Sequence, residues 1–455
     1  MSEAKRETFG SRFAVIMAFA GSAIGLGNIW RFPYLAGEGG GAIFVLVFLV
    51  ATLLLSLPIF IAESVIGRRS RSGCLGAIRR LSSHRGWRVF GFLSVFTPLF
   101  ILSYYSVVGG WSLDFLIKAL GARFALVEPS EAGAMFGAFA HGTAGPLAAF
   151  TGFLALSCII PAFGVTAGIE RFNKVSIPVL FVIVVAVALY SMSLPGASAG
   201  VEYLLKPDWS KLSLRTCADA VGQSFYALSL GMGIIITYSS YMERGENITA
   251  SAFGTAISAL MFSILAGLAI LPAVFAAGIE PGAGPGLIFE TLPFIFSTMS
   301  EAMPVAGIAV SILFFLTVLV AALTSSISLA EVGIAYLVEE RGLPRKRAAL
   351  ICFVAVWALG LCSALSMGPL SGVHIFGMPI FDAFDRISSN FLMMAGALLG
   401  VLFVGFAMRR EDVLDELSSH GTIRRGEGLN KLVYFLIKWI APVVILFIFV
   451  SNFIL

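Results

Sequence analysis

Long apolar stretches, separated by short polar segments, run along the whole chain. A helix needs about 20 apolar residues to cross a membrane, and on that basis the sequence predicts eleven spans, numbered here in chain order. They cover residues 11–37, 42–66, 90–118, 146–164, 172–194, 214–241, 248–277, 304–338, 347–367, 378–408 and 431–454. The pattern predicts an all-α polytopic membrane protein.

Two of these spans are interrupted by glycine-rich segments. Span 1 contains AGSAIGLGN at residues 20–28, and span 6 contains SLGMG at residues 229–233. Each backbone group freed from a helix in hydrocarbon costs several kcal/mol, so we expect the breaks to serve a function. Interrupted spans at matching positions of two halves indicate an inverted-repeat transporter with a binding site near the membrane midplane.

The five-span separation of the two breaks predicts how the chain is organised. Residues 1–10 form a tail, residues 11–194 a first repeat (spans 1–5), residues 214–408 a second repeat (spans 6–10), and residues 431–455 an additional span 11. An odd number of spans per repeat inverts the second repeat relative to the first, as this architecture requires.

Composition and charge support a membrane location and exclude several other classes. The 455 residues are 58% hydrophobic and 12% charged, whereas a soluble domain carries about 25% charged residues. Lys and Arg concentrate in the tail and after spans 2, 8 and 10, which predicts a cytoplasmic N-terminus and an external C-terminus. The net charge of +4 does not indicate a nucleic-acid partner. Five scattered cysteines and four histidines in or near loops form no metal or catalytic motif.

Five segments resemble the signatures of the neurotransmitter:sodium symporter family. They are AGSAIGLGNIWRFPY (20–34), YYSVVGGW (104–111), GQSFYALSLGMG (222–233), LTSSISLAE (323–331) and FDAFDRISSN (381–390). Eleven spans resemble bacterial members, which implies the bacterial inner membrane. The resemblance implies the leucine-transporter fold, sodium as coupling ion and a small-molecule substrate. It also implies alternating access of spans 1, 2, 6 and 7 against spans 3, 4, 5, 8 and 9, and no enzymatic activity.

The resemblance implies a sodium site between spans 1 and 8. Carbonyl groups at a broken helix end attract a cation, and uncharged oxygen ligands suit a hard ion. The implied ligands are the carbonyls of Gly21, Ile24 and Ala321 and the hydroxyls of Thr324 and Ser325. The two hydroxyls could instead bond within their own helix.

A second sodium site of the family is incomplete in this sequence. The carbonyl of Ala23 and the amide of Asn28 are present, but Ala227 and Ala259 stand where the family has side-chain oxygens. A one-residue shift of span 7 would bring Ser258 to the second of these positions. We therefore predict that this second sodium site is weakened or absent.

The chloride site of animal relatives is also incomplete. Gln223 and Ser263 match the family pattern, but Phe48 stands where a tyrosine is expected. We therefore predict transport without a chloride requirement.

By the same resemblance, residues from spans 1, 3, 6 and 8 line the substrate pocket. They are Ser22, Ala23, Gly25, Leu26, Gly27, Ile101, Tyr105, Tyr226, Ser229, Met232, Ser325 and Leu329. The Tyr105 hydroxyl would bind a substrate carboxylate. The remaining wall is apolar and includes a flexible methionine, which predicts a neutral hydrophobic amino acid as substrate.

Ionisable residues within spans are costly and indicate functional positions. By resemblance, Arg31 and Asp385 form an outer gate, and Arg6 and Glu339 an inner gate near Tyr241 and Glu331. Snorkelling to the membrane interface is the alternative for each of them. Glu63 lies deep in span 2 and is predicted to accept hydrogen bonds from the break in span 6.

Two alternative functions remain open. The missing oxygens at Ala227 and Ala259 also fit a transporter of a non-amino-acid solute or a metal ion on the same fold. A channel is the other alternative. The sequence predicts the lipid bilayer as surroundings and leaves the oligomeric state open.

Overall fold

Membrane-length helices account for most of the molecule. The structure is a computed structural model that describes residues 7–278, 287–421 and 427–451. Within these ranges nine helices are long and apolar enough to cross a membrane, and they correspond to predicted spans 2–5 and 7–11. They run over Ala42–Ser70, Arg85–Leu120, Ala144–Ala162, Val165–Ser193, Ile248–Ala276, Pro304–Arg341, Arg345–Ala364, Ile380–Ala407 and Gly428–Val450. The all-α polytopic class is confirmed.

Span 1 is broken where the sequence predicts. Its first half, Arg12–Ala23, ends at Ile24, which has an extended conformation with φ −90° and ψ 97°. Its second half runs over Gly27–Glu38, with a π-helical start, and the two halves meet at an angle of 52°. The bend leaves helix-terminal backbone groups in the middle of the span.

Span 6 is broken as well. Its halves, Leu214–Ala227 and Ile234–Ser239, are separated by a non-helical segment. Ser229, Gly231 and Gly233 in this segment have positive φ values of 55°, 74° and 69°, a region that glycine adopts at little cost. The second half is too short to cross a membrane alone, so the count of eleven spans stays a prediction.

Shorter elements connect or interrupt the spans. α-Helices outside the spans cover Cys74–Leu81, Pro129–Ala140, Ser198–Leu205, Leu292–Ala302 and Arg410–Leu417. Short 3-10 turns cover Arg85–Trp87, Arg123–Ala125 and Trp209–Lys211. π-Helical turns lie at Thr52–Ser56, Val165–Glu170, Leu287–Thr291, Ser388–Leu392, Phe403–Ala407 and Leu436–Ile440. One antiparallel hairpin pairs His374–Ile375 with Met378–Pro379.

Packing of the spans brings the two breaks together. Span 8 packs along spans 3, 4, 5 and 9, and the first half of span 1 packs against spans 5, 7 and 8. The second half of span 6 lies against spans 2 and 8. Both breaks therefore meet between spans 3 and 8. The division into two inverted repeats stays a prediction.

The arginine-rich loops meet at one end of the bundle, which we call the basic face. There Glu7 accepts a hydrogen bond at 2.5 Å from the backbone N–H of Val165, the first residue of span 5. At the same end Arg69, at the end of span 2, pairs with Asp412 of the helix after span 10 at 2.5 Å, and Arg71 donates to the Met242 carbonyl. This arrangement agrees with the predicted distribution of positive charge, while the orientation of the face in the membrane stays a prediction.

Candidate substrate and sodium site

A small buried cavity of about 20 Å³ lies between the breaks of spans 1 and 6. This volume holds about one water molecule, so the cavity wall must move apart to admit an amino acid. Every predicted pocket residue except Leu26 borders the cavity, and Asn28 and Ile234 complete its wall. The lining is Ser22, Ala23, Gly25, Gly27, Asn28, Ile101, Tyr105, Tyr226, Ser229, Met232, Ile234, Ser325 and Leu329.

Two glycines of span 1 let neighbouring helices reach its backbone. A Cβ atom on Gly25 would lie 2.2 Å from Ser325 Oγ and 2.9 Å from Tyr105 Oη. A Cβ atom on Gly27 would lie 2.3 Å from Tyr226 Cδ1. No real side chain tolerates such distances, so the cavity wall requires glycine at both positions.

Side chains from spans 3 and 6 satisfy backbone groups at the break of span 1. The Leu26 backbone N–H donates to Tyr105 Oη at 3.1 Å. Ser229 Oγ donates to the Ser22 carbonyl at 2.9 Å, and Ser22 Oγ donates to Ser229 Oγ at 3.1 Å. Leu26 therefore joins the site through its N–H rather than through its side chain. A ligand carboxylate could replace Tyr105 as acceptor for this N–H.

The predicted sodium ligands lie together between spans 1 and 8. Thr324 Oγ1 donates to the Ile24 carbonyl at 3.1 Å and to the Ala321 carbonyl at 2.9 Å. Ser325 Oγ lies 3.4 Å from the Gly21 carbonyl oxygen. Thr324 thus makes both the contact to span 1 and the bond within its own helix, the two alternatives that the sequence left open.

These oxygens are of a kind that can bind a cation. Na⁺ is close in size to Ca²⁺, which binds oxygen at about 2.4 Å. At that bond length, neighbouring oxygens of an octahedral set lie about 3.4 Å apart. The 3.4 Å between Ser325 Oγ and the Gly21 carbonyl oxygen matches that value, whereas the 2.9 and 3.1 Å at Thr324 are hydrogen-bond lengths. The oxygens are uncharged and buried, a combination that suits a hard monovalent ion.

The second predicted sodium position is spanned by protein hydrogen bonds. Asn28 Nδ2 donates to Ser263 Oγ at 2.9 Å and to the Ala259 carbonyl at 3.3 Å. The methyl side chains of Ala227 and Ala259 supply no oxygen. Ser258 Oγ donates to the Gly254 carbonyl of its own helix at 2.8 Å. Asn28 is thus bonded directly to span 7, and the weakened or absent second sodium site stays a prediction.

The region of the chloride site holds aromatic packing. The ring centroid of Phe48 lies 5.1 Å from that of Phe32 and 6.4 Å from that of Phe44. Gln223 Nε2 donates to the Gly27 carbonyl at 2.6 Å, so this amide supports the break of span 1.

The predicted outer-gate residues each contact a tyrosine. The Arg31 guanidinium lies 5.2 Å from the ring centroid of Tyr226, and Tyr104 Oη donates to Asp385 Oδ1 at 3.1 Å. Among the described residues Arg31 and Asp385 form no ion pair within 4.0 Å, and Arg31 Nε and Nη1 have no hydrogen-bond partner. Tyr226 therefore separates the cavity from Arg31.

Glu331, one of the predicted inner-gate residues, is fully buried in span 8. Tyr241 Oη donates to Glu331 Oε1 at 2.7 Å, and Arg345 of span 9 forms an ion pair with the same carboxylate. Arg345 Nε also donates to the Pro161 carbonyl of span 4 at 2.7 Å. These bonds join span 6 to spans 4, 8 and 9 at the basic face.

Other predicted inner-gate residues lie at the same face. Glu339 accepts hydrogen bonds from Ser72 Oγ at 3.0 Å and from the Gly73 N–H at 2.8 Å. Phe9 packs edge-on against Tyr241 with ring centroids 6.0 Å apart. Arg6, the predicted partner of Glu339, lies outside the described residues.

Glu63 makes the contact that the sequence predicts. Its Oε1 accepts a hydrogen bond at 2.7 Å from the N–H of Gly231, in the break of span 6. A fully buried carboxylate on span 2 therefore supports the non-helical backbone of span 6.

Sequence reasoning missed two residues near the site. Arg345 counts there only as one of several loop charges, although the buried Glu331 signals that a partner is needed. Asn173, near the start of span 5, has a fully buried side chain next to Gly21. In the sequence, Asn173 is distinguished only as a polar residue next to an apolar segment.

The sequence model of the sodium:neurotransmitter symporter family matches residues 6–130 and 142–455. The chain belongs to this family. Relatives named as sodium-dependent transporters extend the match along the whole chain. This symporter is therefore a multi-pass membrane protein that uses sodium to transport a small molecule, and it is not an enzyme.

Bacterial and animal proteins are similar to this symporter over most of its length. The "Uncharacterized sodium-dependent transporter YhdH" of Bacillus subtilis is 36% identical over 99% of this chain and 98% of its own. The "Sodium-dependent serotonin transporter" of Drosophila melanogaster is 25% identical over 99% of this chain and 77% of its own. The crystal structure of MhsT in complex with L-phenylalanine has a TM-score of 0.90 and 39% identity, covering 98% of this chain and 100% of MhsT.

Proposed function

We propose that this symporter imports a neutral hydrophobic amino acid by alternating access, driven by one sodium ion and without chloride. The observation that carries the proposal is the buried cavity where the breaks of spans 1 and 6 meet. The proposal places the N-terminus and the basic face in the cytoplasm of a bacterium, the C-terminus outside, and spans 1–5 and 6–10 in two inverted repeats.

The cavity wall offers complementary groups for an amino acid. The Leu26 N–H and the Tyr105 hydroxyl, 3.1 Å apart, can both donate to a carboxylate. Carbonyls at the break of span 1 and the hydroxyl of Ser229 can accept from an ammonium group. Ile101, Met232 and Leu329 supply an apolar surface for the side chain. The bound L-phenylalanine in the MhsT crystal structure supports a substrate of this kind.

Closure on both sides of the cavity favours a carrier over a channel. Tyr226 and Arg31 lie over one end, and the Tyr241–Glu331–Arg345 network joins the helices at the other. A channel needs a continuous path in its conducting state, whereas a carrier opens one gate at a time. We propose that sodium and substrate enter when the outer gate opens and leave when the inner network separates.

A single sodium ion follows from the different states of the two ion sites. The five oxygens between spans 1 and 8 can surround a cation. At the other position Asn28 is bonded to span 7, and two alanines supply no side-chain oxygen. An ion there could still bind Asn28 Oδ1 and the Ala23 carbonyl, but it would gain fewer ligands than in the intact site.

Uptake by the purified protein in liposomes tests the proposal. An inward sodium gradient should drive accumulation of tritiated L-phenylalanine or L-leucine, and choline in place of sodium should abolish it. Gluconate in place of chloride should change nothing. Tyr105→Phe removes one hydroxyl from the pocket and should weaken substrate binding, whereas Tyr190→Phe, at the outer end of span 5, should not.

Two results would favour the other functions. If none of the twenty amino acids is accumulated or exchanged, a non-amino-acid solute or a metal ion becomes the better candidate, and counterflow with other labelled solutes would identify it. If planar bilayers containing the protein show unitary currents without saturable counterflow, the protein is a channel and the carrier proposal fails.

A further inference from the structure

Asn173 is a buried polar residue that the proposed transport cycle leaves without a role. It lies in the first turn of the helix Arg171–Ser193, and its side chain is 0% exposed. Among the described residues neither Oδ1 nor Nδ2 has a hydrogen-bond partner. An unpaired buried polar group costs about 1–3 kcal/mol. A native protein that keeps such a group usually uses it for a ligand, a water molecule or an ion.

The carboxamide of Asn173 lies directly against Gly21. A Cβ atom on Gly21 would be 2.7 Å from Asn173 Cγ and Nδ2 and 2.8 Å from Oδ1. Glycine at position 21 therefore leaves the space that the amide fills. Gly21 also supplies a carbonyl oxygen to the sodium site, 3.4 Å from Ser325 Oγ. The unpartnered amide thus adjoins the ion site from the side of span 5.

The chemistry of the amide matches that of the site. An amide oxygen is a hard, neutral ligand of the same kind as the backbone carbonyls and hydroxyls already there. The predicted ligands of spans 1 and 8 supply five oxygens, whereas an octahedral set takes six. Asn173 Oδ1 can fill the remaining position.

We propose that Asn173 extends the sodium site of spans 1 and 8 onto span 5, with Oδ1 as an additional sodium ligand. The inference rests on the proposed sodium site. An ion held by spans 1, 5 and 8 together ties the first half of span 1 to the scaffold. Bound sodium then stabilises the state in which the basic face is closed, and loss of the ion releases that half of span 1.

Sodium-dependent thermal stability of the purified full-length protein tests this role without relying on transport. Melting is followed against sodium chloride, with choline chloride keeping the ionic strength constant and no amino acid present, since a bound ion stabilises the folded state by mass action. Asn173→Ala should raise the half-saturating sodium concentration about tenfold, the effect typical of lost supporting groups at a metal site. Asn173→Asp, which places an anionic oxygen at the same point, should lower it.

Two further variants separate ion binding from packing. Ser176→Ala removes another buried hydroxyl of span 5 and should leave the sodium midpoint unchanged. Asn173→Ser keeps an oxygen and should lie between the wild type and Asn173→Ala, which preserves the test if the aspartate variant does not fold.

Three results decide the matter. Half-saturating sodium concentrations that rise in the order Asp, Asn, Ser, Ala at position 173 support the inference. Variants that lose stability at every salt concentration but keep the wild-type sodium midpoint overturn the inference. In that case the proposed sodium site survives if Thr324→Val raises the midpoint. A wild-type protein that sodium does not stabilise overturns both the inference and the proposed site.

Discussion

The Asn28 side-chain amide donates a hydrogen bond to Ser263 Oγ at 2.9 Å, which ties the break of span 1 directly to span 7. In the resemblance drawn from the sequence, Asn28 contributes to an ion site that needs further oxygens from spans 6 and 7. Here a protein hydrogen bond makes the connection between spans 1 and 7. The two spans are therefore held together without an ion at this point.

Restoring the missing oxygens should restore the second ion. The double variant Ala227→Thr with Ala259→Asn adds a hydroxyl and a carboxamide beside Asn28, ligands that suit a hard cation. We expect the Hill coefficient for sodium in substrate uptake to rise from near one towards two. The control is Ala227→Val with Ala259→Leu, which adds similar volume without oxygen. An unchanged coefficient in the double variant would count against the view that missing oxygens limit this site.

Removing the Thr324 hydroxyl should weaken sodium binding at the intact site. Thr324→Val keeps the shape of the side chain but loses the oxygen that lies 3.1 Å from the Ile24 carbonyl. We expect the sodium concentration for half-maximal uptake to rise at least about tenfold. Thr317→Val, which removes a buried hydroxyl bonded within the same helix at 2.7 Å, is the matched control. Equal sodium dependence in both variants would exclude Thr324 as a ligand.

Adding one methyl group to Gly25 should disable the pocket. The new Cβ atom would lie 2.2 Å from Ser325 Oγ, so Ser325 or span 1 must move. Overpacking of this kind costs about 1–3 kcal/mol, and it displaces a pocket residue that is also a predicted sodium ligand. Gly25→Ala should therefore lose both substrate-dependent and sodium-dependent thermal stabilisation. Gly254→Ala, whose new Cβ atom would meet only Ile16 at 3.9 Å, should retain both.

Breaking the ion pair between Glu331 and Arg345 should open the inner gate. Glu331→Gln keeps a hydrogen-bond acceptor for Tyr241 but leaves the mostly buried Arg345 without its counter-charge. Removing one partner of a buried pair costs about 3–5 kcal/mol. Because the pair forms when the gate is closed, the substitution destabilises the closed state. We expect faster maleimide labelling of Cys74, which is 3% exposed in the closed structure, as measured by peptide mass spectrometry.

The labelling experiment has a matched control in an exposed ion pair. Glu202→Gln removes the partner of Lys206, where both side chains are more than half exposed, and should leave Cys74 labelling unchanged. If Glu331→Gln labels no faster than this control, the Glu331–Arg345 pair does not hold the inner gate closed.

Local signals and the family resemblance made the two breaks and most of the cavity predictable. Glycines and polar residues inside an apolar span indicate a break in its helix. Hydrocarbon offers the freed backbone groups no hydrogen-bond partner, so such residues are seldom placed there without a function. The pocket residues came from the resemblance to the symporter family, which assigns them to spans 1, 3, 6 and 8. Glu63 was predictable because a carboxylate deep in span 2 requires a donor such as the Gly231 N–H.

Other features depend on packing that the sequence does not display. Leu26 contributes its N–H because the chain unwinds there, so its side-chain type carries no signal. Arg345 forms an ion pair with Glu331 only because span 9 packs beside span 8. Arg31 and Asp385 have opposite charges at suitable positions, yet each contacts a tyrosine in the folded chain.

The ratio of sodium ions to substrate molecules carried in one cycle tests the central claim most directly. Purified protein in liposomes is given a sodium gradient, and the initial influxes of radioactive sodium and tritiated L-phenylalanine are measured together, each corrected with the Gly25→Ala variant. One sodium per amino acid, with one positive charge moved per zwitterionic substrate, is the predicted result. Two sodium ions per substrate would contradict the account.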